Sequence, residues 1–219
     1  MDSQDEYEVL QEGWAASAEV AEEFESAVKL NPENRNARLM LIGYYRKTFY
    51  RNDHDTDLLT RHICWFIKED PESSIHESIR TFPFANRHFL KIKREWKRQL
   101  ADYPDNLKIL KNAVRSFTLA APNVAEELCL RAYKLDPLNE EWPLKLSHLF
   151  SLGTHSPEII KERNRARKCF EFGKAALQLH ERFPKMSYLE TYMEMIVEEI
   201  SEKTFKFNML EEARYLGQY

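Results

Sequence analysis

Glycine is scarce in this sequence. Five glycines in 219 residues leave little from which to build the tight turns of a large sheet or the loops that cradle phosphate. There is also no run of about 18 apolar residues, the length a membrane-spanning helix needs. The first residues, MDSQDEYEVLQEG, are acidic where a secretory signal would be basic and then apolar. Cysteine is limited to Cys64, Cys129 and Cys169. Their odd number, wide spacing and helical surroundings fit reduced core thiols of a cytosolic protein, not a disulfide framework. A net charge of -4 and a pI of about 6.0 exert no global pull toward nucleic acid or an anionic membrane, so any such binding must be local. These absences predict a soluble, cytoplasmic, all-α protein without membrane contact.

What is present is helical periodicity broken by proline. Apolar helical patterns end on a short polar step at Lys-Leu-Asn-Pro32, Lys-Glu-Asp-Pro71, Asp-Tyr-Pro104, Leu-Asp-Pro137 and Arg-Phe-Pro184, with spacings of 39, 33, 33 and 47. Proline cannot continue a helix and biases the preceding residue away from helical geometry, so each is a physical stop. Repeats near 34 residues mean stacked helical pairs. The periodicity predicts helices over 14–30, 36–49, 57–69, 86–100, 105–119, 122–135 and 139–152, with a polar loop at 51–56 and a short helix between Pro71 and Ile79. A break with buried aromatics is expected at 81–85. A connection at 153–157 with Ser156 as cap leads to a long helix reaching Glu181, and two more helices follow at 186–200 and 205–216. The last of these has no polar capping helix after it, and a stack ending that way exposes an apolar face, which predicts self-association there or a longer array.

The segment 106–137 resembles a tetratricopeptide repeat. Counting Pro137 as its closing proline puts Ala113 at the small position of the first helix and Ala125 and Ala132 at those of the second, where crossing backbones approach closely. Asn112 stands where the repeat has leucine, and Cys129 where it has an aromatic. Two segments, Arg-His-Ile-Cys-Trp-Phe-Ile-Lys-Glu-Asp-Pro-Glu-Ser and Glu-Glu-Leu-Cys-Leu-Arg-Ala-Tyr-Lys-Leu-Asp-Pro, are similar to bacterial tetratricopeptide-repeat proteins of unassigned function. The resemblance implies one helical-repeat domain over 1–219, a right-handed α-α superhelix with irregular repeats at 14–104 and 138–217. The set of basic and asparagine residues that the family's terminal-carboxylate clamp requires is not found.

No catalytic motif stands out, and no cofactor or metal is implied. His62 and Cys64 are two apart on a helix and point to different sides, so they read as a surface histidine beside a core cysteine. Arg87, Lys91, Arg94 and Arg98 fall at steps of 4, 3 and 4 and form one basic stripe. It reads either as a ridge for an acidic segment or a phosphate backbone, or as a solvated face paired with Glu95, Asp102 and other acids. A second basic cluster, from Lys161 to Lys168, does not keep to one face. Asn112 reads either as a groove residue that bonds a peptide backbone or as a buried amide satisfied by a carbonyl. Tyr44, Tyr45, Lys145 and His148 are the neighbouring groove candidates. Of Trp14, Trp65, Trp96 and Trp142, the last is the one most open to a partner, with core packing as the alternative.

These readings predict a non-catalytic scaffold that binds a peptide or partner helix in a concave groove. The alternative is the helical subunit of an enzyme complex. Asp136-Pro-Leu-Asn-Glu-Glu-Trp142 echoes, once and without the following arginine, the proline, asparagine and tryptophan pattern of protein prenyltransferase alpha subunits. Nucleic-acid binding through the stripe is the third and least favoured reading.

Overall fold

The structure is a computed structural model that describes residues 3–49, 53–79, 87–152 and 159–182. Ten helices and no strands occur among the described residues: α1 (Ser3–Ala15), α2 (Ala18–Leu30), α3 (Arg35–Thr48), α4 (Asp53–Glu69), α5 (Ile75–Ser78), α6 (Arg87–Asp102), α7 (Leu107–Phe117), α8 (Pro122–Leu135), α9 (Glu141–Leu152) and α10 (Ile159–Arg182). No described helix is long and apolar enough to cross a membrane. The segments 81–85, 153–157, 186–200 and 205–216, and with them the predicted self-association, lie outside the described residues.

The proline stops mark one connection used four times. Pro32, Pro71, Pro104 and Pro137 each follow the residue that closes a helix, and that residue's N–H still bonds back into the helix: Asn31 to Ala27, Asp70 to Phe66, Tyr103 to Gln99 and Asp136 to Ala132. Three residues on, the N–H of Asn34, Ser73, Asn106 and Asn139 donates to the carbonyl of the closing residue, at 3.0, 3.1, 3.3 and 3.3 Å. Proline suits the second position of such a turn because its φ is already set. The fourth residue then covers the next helix's exposed N–H groups with its side chain. Asn34 accepts from Ala37 N–H, Ser73 from Ile75, Asn106 from Lys108 and Ile109, and Asn139 from Glu141. A helix end, a turn and a helix start are thus encoded in four residues.

Two boundaries differ from the sequence expectation. The acidic N-terminus is itself a helix, and the helix expected over 14–30 is interrupted at 16–17, where Ser17 caps α2 by accepting from Val20 N–H. Trp14 therefore lies in the last turn of α1 and is exposed. The expected polar loop at 51–56 is helical from Asp53 onward, because Asp53 and Asp55 in the first turn complement the helix dipole. Thr56 adds to this by donating its hydroxyl to Phe49 O at 2.7 Å.

The chain divides into two compact units, 1–120 and 121–219, so α7 and α8, the two helices of segment 106–137, belong to different units. In the first, α1 packs on α3 and α5, α3 on α2 and α4, α4 on α6, and α7 on α5 and α6. Its core includes Leu10, Leu39, Ile42, Phe66, Trp96 and Phe117. In the second, α9 packs on α8 and α10. There Phe150 stacks on Phe172 with ring centroids 5.7 Å apart, and the Ser147 hydroxyl donates to Cys169 O at 2.9 Å. Ala113, Ala125 and Ala132, the small positions of the repeat pattern, are fully buried.

Helices α1 and α3 meet backbone to backbone at two glycines. A Cβ on Gly13 would sit 2.1 Å from Met40 O, and one on Gly43 would sit 2.3 Å from Leu10 O and 2.9 Å from Trp14 N. The atoms met are backbone, so they yield only if a whole helix moves. Helix propensity alone makes Gly43→Ala stabilising by about 1 kcal/mol. The backbone overlap reverses the sign, and we expect a loss of about 2 kcal/mol, measured as a lower urea midpoint with unchanged slope.

Candidate functional site

Turn 70–73 brings the start of α3, the start of α5 and the first turns of α7 around one polar cleft of about 720 Å³ in the first unit. Arg35, the first residue of α3, follows the Asn34 cap directly. Lys108, Lys111 and Asn112 share one face of α7 by their spacing of three and four. From α1 comes Glu6, almost fully buried.

The wall of the cleft is an ion and hydroxyl cluster. The Arg35 guanidinium pairs with Glu6, bonds Asp70 Oδ2 at 3.0 Å and Ser73 Oγ at 3.0 Å, and lies over the Phe66 ring at 5.2 Å. The Ser73 hydroxyl lies 3.2 Å from both Glu6 carboxylate oxygens, and Ser74 also donates to Glu6. Burial pushes the Glu6 carboxyl upward, but the hydrogen bonds from Ser74, Arg35 and Ser73 and the Arg35 charge outweigh it. They hold Glu6 below the ordinary carboxylate range. Arg35 Nη1 is buried with no hydrogen-bond partner among the described residues. At the mouth, Lys111 pairs with Glu77 at 3.3 Å and Lys108 approaches Glu72 at 4.0 Å. Charged donors and acceptors therefore alternate along the cleft, an arrangement suited to a peptide main chain, which presents both.

Asn112 forms part of the lining, but its amide is already engaged. Nδ2 donates to Pro71 O at 2.9 Å and to Ser73 O at 3.2 Å, and the residue is buried. Of its two readings, the geometry matches the buried amide that locks α7 onto the proline turn. The other groove candidates lie elsewhere. Tyr45 is buried, with its hydroxyl donating to Glu25 Oε1 at 3.0 Å, so it presents no surface to a groove. Tyr44 is half-buried beneath the Lys47 ammonium, 4.7 Å from the ring centroid. Lys145 and His148 are in the second unit, where Lys145 pairs with Glu141 at 2.8 Å and His148 is half-buried. Trp142 is not open to a partner: it is buried, and the Cys129 thiol donates to its carbonyl. In the second basic cluster, Arg165 turns inward to Glu126 and Leu149 O.

The expectation for the His62 and Cys64 pair is reversed. His62 is the fully buried member and Cys64 the half-buried one. His62 belongs to a polar relay that joins α2, α3 and α4. Arg38, which can only donate, faces His62 Nδ1 at 3.2 Å, so Nδ1 accepts and Nε2 carries the hydrogen toward Glu25 Oε1, also at 3.2 Å. Arg38 further donates to Pro32 O at 2.9 and 2.7 Å and stacks on Trp65 at 4.6 Å. Arg61 grips both Glu25 oxygens at 2.9 and 2.7 Å. Burial drives His62 below its ordinary value, and the opposed Arg38 leaves no acceptor for a second ring proton. Glu25 is pushed upward by burial but is held far below the carboxylate range by His62, Arg61 and Tyr45.

The basic stripe is paired along its length. Arg87 meets Asp57 at 2.9 Å and Asp53 at 3.6 Å, Lys91 meets Asp57 at 3.0 Å, and Arg94 and Arg98 meet Glu95 at 3.4 and 3.0 Å. Glu95 is the partner the sequence named. Asp57 comes from α4, a neighbour that spacing on α6 could not reveal. Sequence reasoning also missed Glu6 and Arg35, whose only local signal is that Arg35 directly follows a capping asparagine. Among the described residues, no three metal-ligating side chains come together. Neither a protein-family model nor a curated protein matches the chain, so the tetratricopeptide likeness rests on the residues themselves.

Two outcomes follow from these networks. Asn112→Leu restores the residue usual in the repeat but strips the carbonyls of Pro71 and Ser73 of their donor, and it should cost about 2 kcal/mol in chemical unfolding. His76, buried against Trp96 with Nε2 donating to Asp70 O at 3.1 Å, is lowered by burial from 6.5 to about 4. A depressed histidine contributes stability that is present above the unfolded value and lost as pH falls toward the folded one. Stability should therefore drop by about 3 kcal/mol between pH 6.5 and 4, with a shallower drop for His76→Gln.

Proposed function

We propose that the protein is a non-catalytic scaffold of the tetratricopeptide kind that holds an extended peptide or a partner helix. Helical pairs joined by a recurring proline turn are the units from which a right-handed curved array grows, and the inner side of such a curve is a binding groove. The observation that carries this reading is the cleft bounded by Glu6, Arg35, Glu77 and the Lys108 and Lys111 ammoniums. Its wall is immobilised by the Arg35 cluster and by Asn112, while at its mouth Lys108 and Lys111 pair with Glu72 and Glu77 and Glu72 also accepts from Asn106 Nδ2 at 2.6 Å. Such a site is organised before binding and loses little on binding. The recognition residues of this scaffold are thus Lys108, Lys111, Glu72 and Glu77, with Asn112 as a support. Free thiols at Cys64, Cys129 and Cys169 suit a reducing compartment such as the cytoplasm.

The test is selection of a displayed peptide library on the full-length chain, followed by affinity measurement on the variant carrying Lys108→Gln and Lys111→Gln. At least one class of selected peptides should weaken about tenfold. If every selected peptide binds both proteins equally, this cleft is not the site.

A further inference from the structure

The chain carries a net charge of -4, yet one face of the first unit concentrates the opposite sign. Two clefts of about 480 and 450 Å³ adjoin there, sharing Arg61, Cys64 and Glu95, and their combined lining holds seven cationic side chains against three carboxylates. Six of them are exposed, Lys29 on α2, Arg61 and Lys68 on α4, and Lys91, Arg94 and Arg98 on α6, while the seventh, Arg38 on α3, is buried, so the stripe on α6 is only the edge of a wider surface.

The charges are layered. Side-chain exposure is 50% for Arg61 over 15% for its partner Glu25, 65% for Arg94 and 62% for Arg98 over 11% for Glu95, and 48% for Lys91 over 38% for Asp57. Glu25 and Glu95 lie beneath their guanidinium partners, while Asp57 sits beside Lys91 at the rim. Pairs this exposed contribute at most about 1 kcal/mol, so the outer cations can turn to an incoming anion while the inner acids keep them aligned. Between them lie Val28, Leu58, Cys64 and Trp65, an apolar floor.

We propose that this face docks an acidic linear segment of a partner protein in which carboxylates alternate with aliphatic or aromatic side chains. The carboxylates meet Arg61, Lys91, Arg94 and Arg98, and the apolar side chains enter over Cys64 and Trp65. A polyphosphate backbone matches the cations but leaves the apolar floor wet. It would also bring a charge at every link against the Glu25 and Glu95 carboxylates. One face of the Trp65 ring is already covered by Arg38, which limits its use for base stacking. This surface is separate from the Lys108 and Lys111 cleft and stands whether or not that cleft binds.

The experiment uses the full-length chain and three fluorescein-labelled probes: a peptide of Glu-Leu-Glu-Glu repeats, the same peptide with glutamine for glutamate, and single-stranded oligothymidylate. Anisotropy at low salt should show binding of the acidic peptide, weakening as salt is added, and far weaker binding of the glutamine peptide. The variant R94Q/R98Q should lose about tenfold in affinity. A second variant, K68Q/K91Q, should move in the same direction and guards against misfolding of the first, which circular dichroism would reveal. Loss of acidic-peptide binding in K108Q/K111Q with R94Q/R98Q unchanged would place the peptide in the other cleft and overturn the proposal. The proposal is overturned by equal binding of the glutamine peptide, by no binding of the acidic peptide, or by unchanged affinity in a folded R94Q/R98Q or K68Q/K91Q. Tighter binding of oligothymidylate than of the acidic peptide would overturn it too, in favour of a nucleic-acid surface.

Discussion

The hydrogen bond from the fourth residue of each proline turn back to the residue that closes the preceding helix is the constraint on which the rest depends. It ends one helix and, through the same residue's side chain, starts the next, as at Asn31 to Asn34 and Asp70 to Ser73. Because the connection is so short, the direction of the second helix follows closely from that of the first. The side chains at the start of α3, α5 and α7 are delivered to one place as a result, and Arg35, Ser73, Ser74 and Lys108 can line one cleft. Asn112 reinforces the arrangement by donating to two carbonyls of the turn from a different helix.

Charge in the first unit is arranged by depth. Glu6, Glu25 and Glu95 are buried or nearly so, and each is satisfied by arginine, serine, histidine or tyrosine donors. A buried carboxylate without such donors would neutralise or unfold its surroundings. These donors are drawn from several helices at once, so the networks fix how α1, α3 and α4 sit on one another as well as offsetting desolvation. The cations that remain outside are then held in position without being deeply committed, which gives one face of an acidic chain a basic character.

Several features were legible from residues alone because they are local. Proline stops and helical periodicity act within a few residues, and the likeness of 106–137 to a tetratricopeptide repeat singled out Ala113, Ala125 and Ala132, which are buried. The features that were not legible are those in which a side chain's partner lies far along the chain. The break at Ser17 was hidden because the apolar pattern runs through it, and α1 was hidden because its composition is acidic. It is a helix held by burial of Leu10 and by the bare backbone contact of Gly13 with α3. His62 was assigned to the surface and Cys64 to the core on polarity, whereas the acceptor and donor supplied by Glu25 and Arg38 make the histidine the better core residue.

By itself the sequence determined helices cut by recurring prolines, four of which close helices among the described residues, since periodicity and backbone sterics are properties of neighbouring residues. Only the tertiary structure decided which charges are buried, which amides are engaged and which cations face outward. Those outcomes depend on pairs such as Glu6 with Ser74, separated by 68 positions, and no local pattern states which distant group will supply a buried carboxylate with its proton donor.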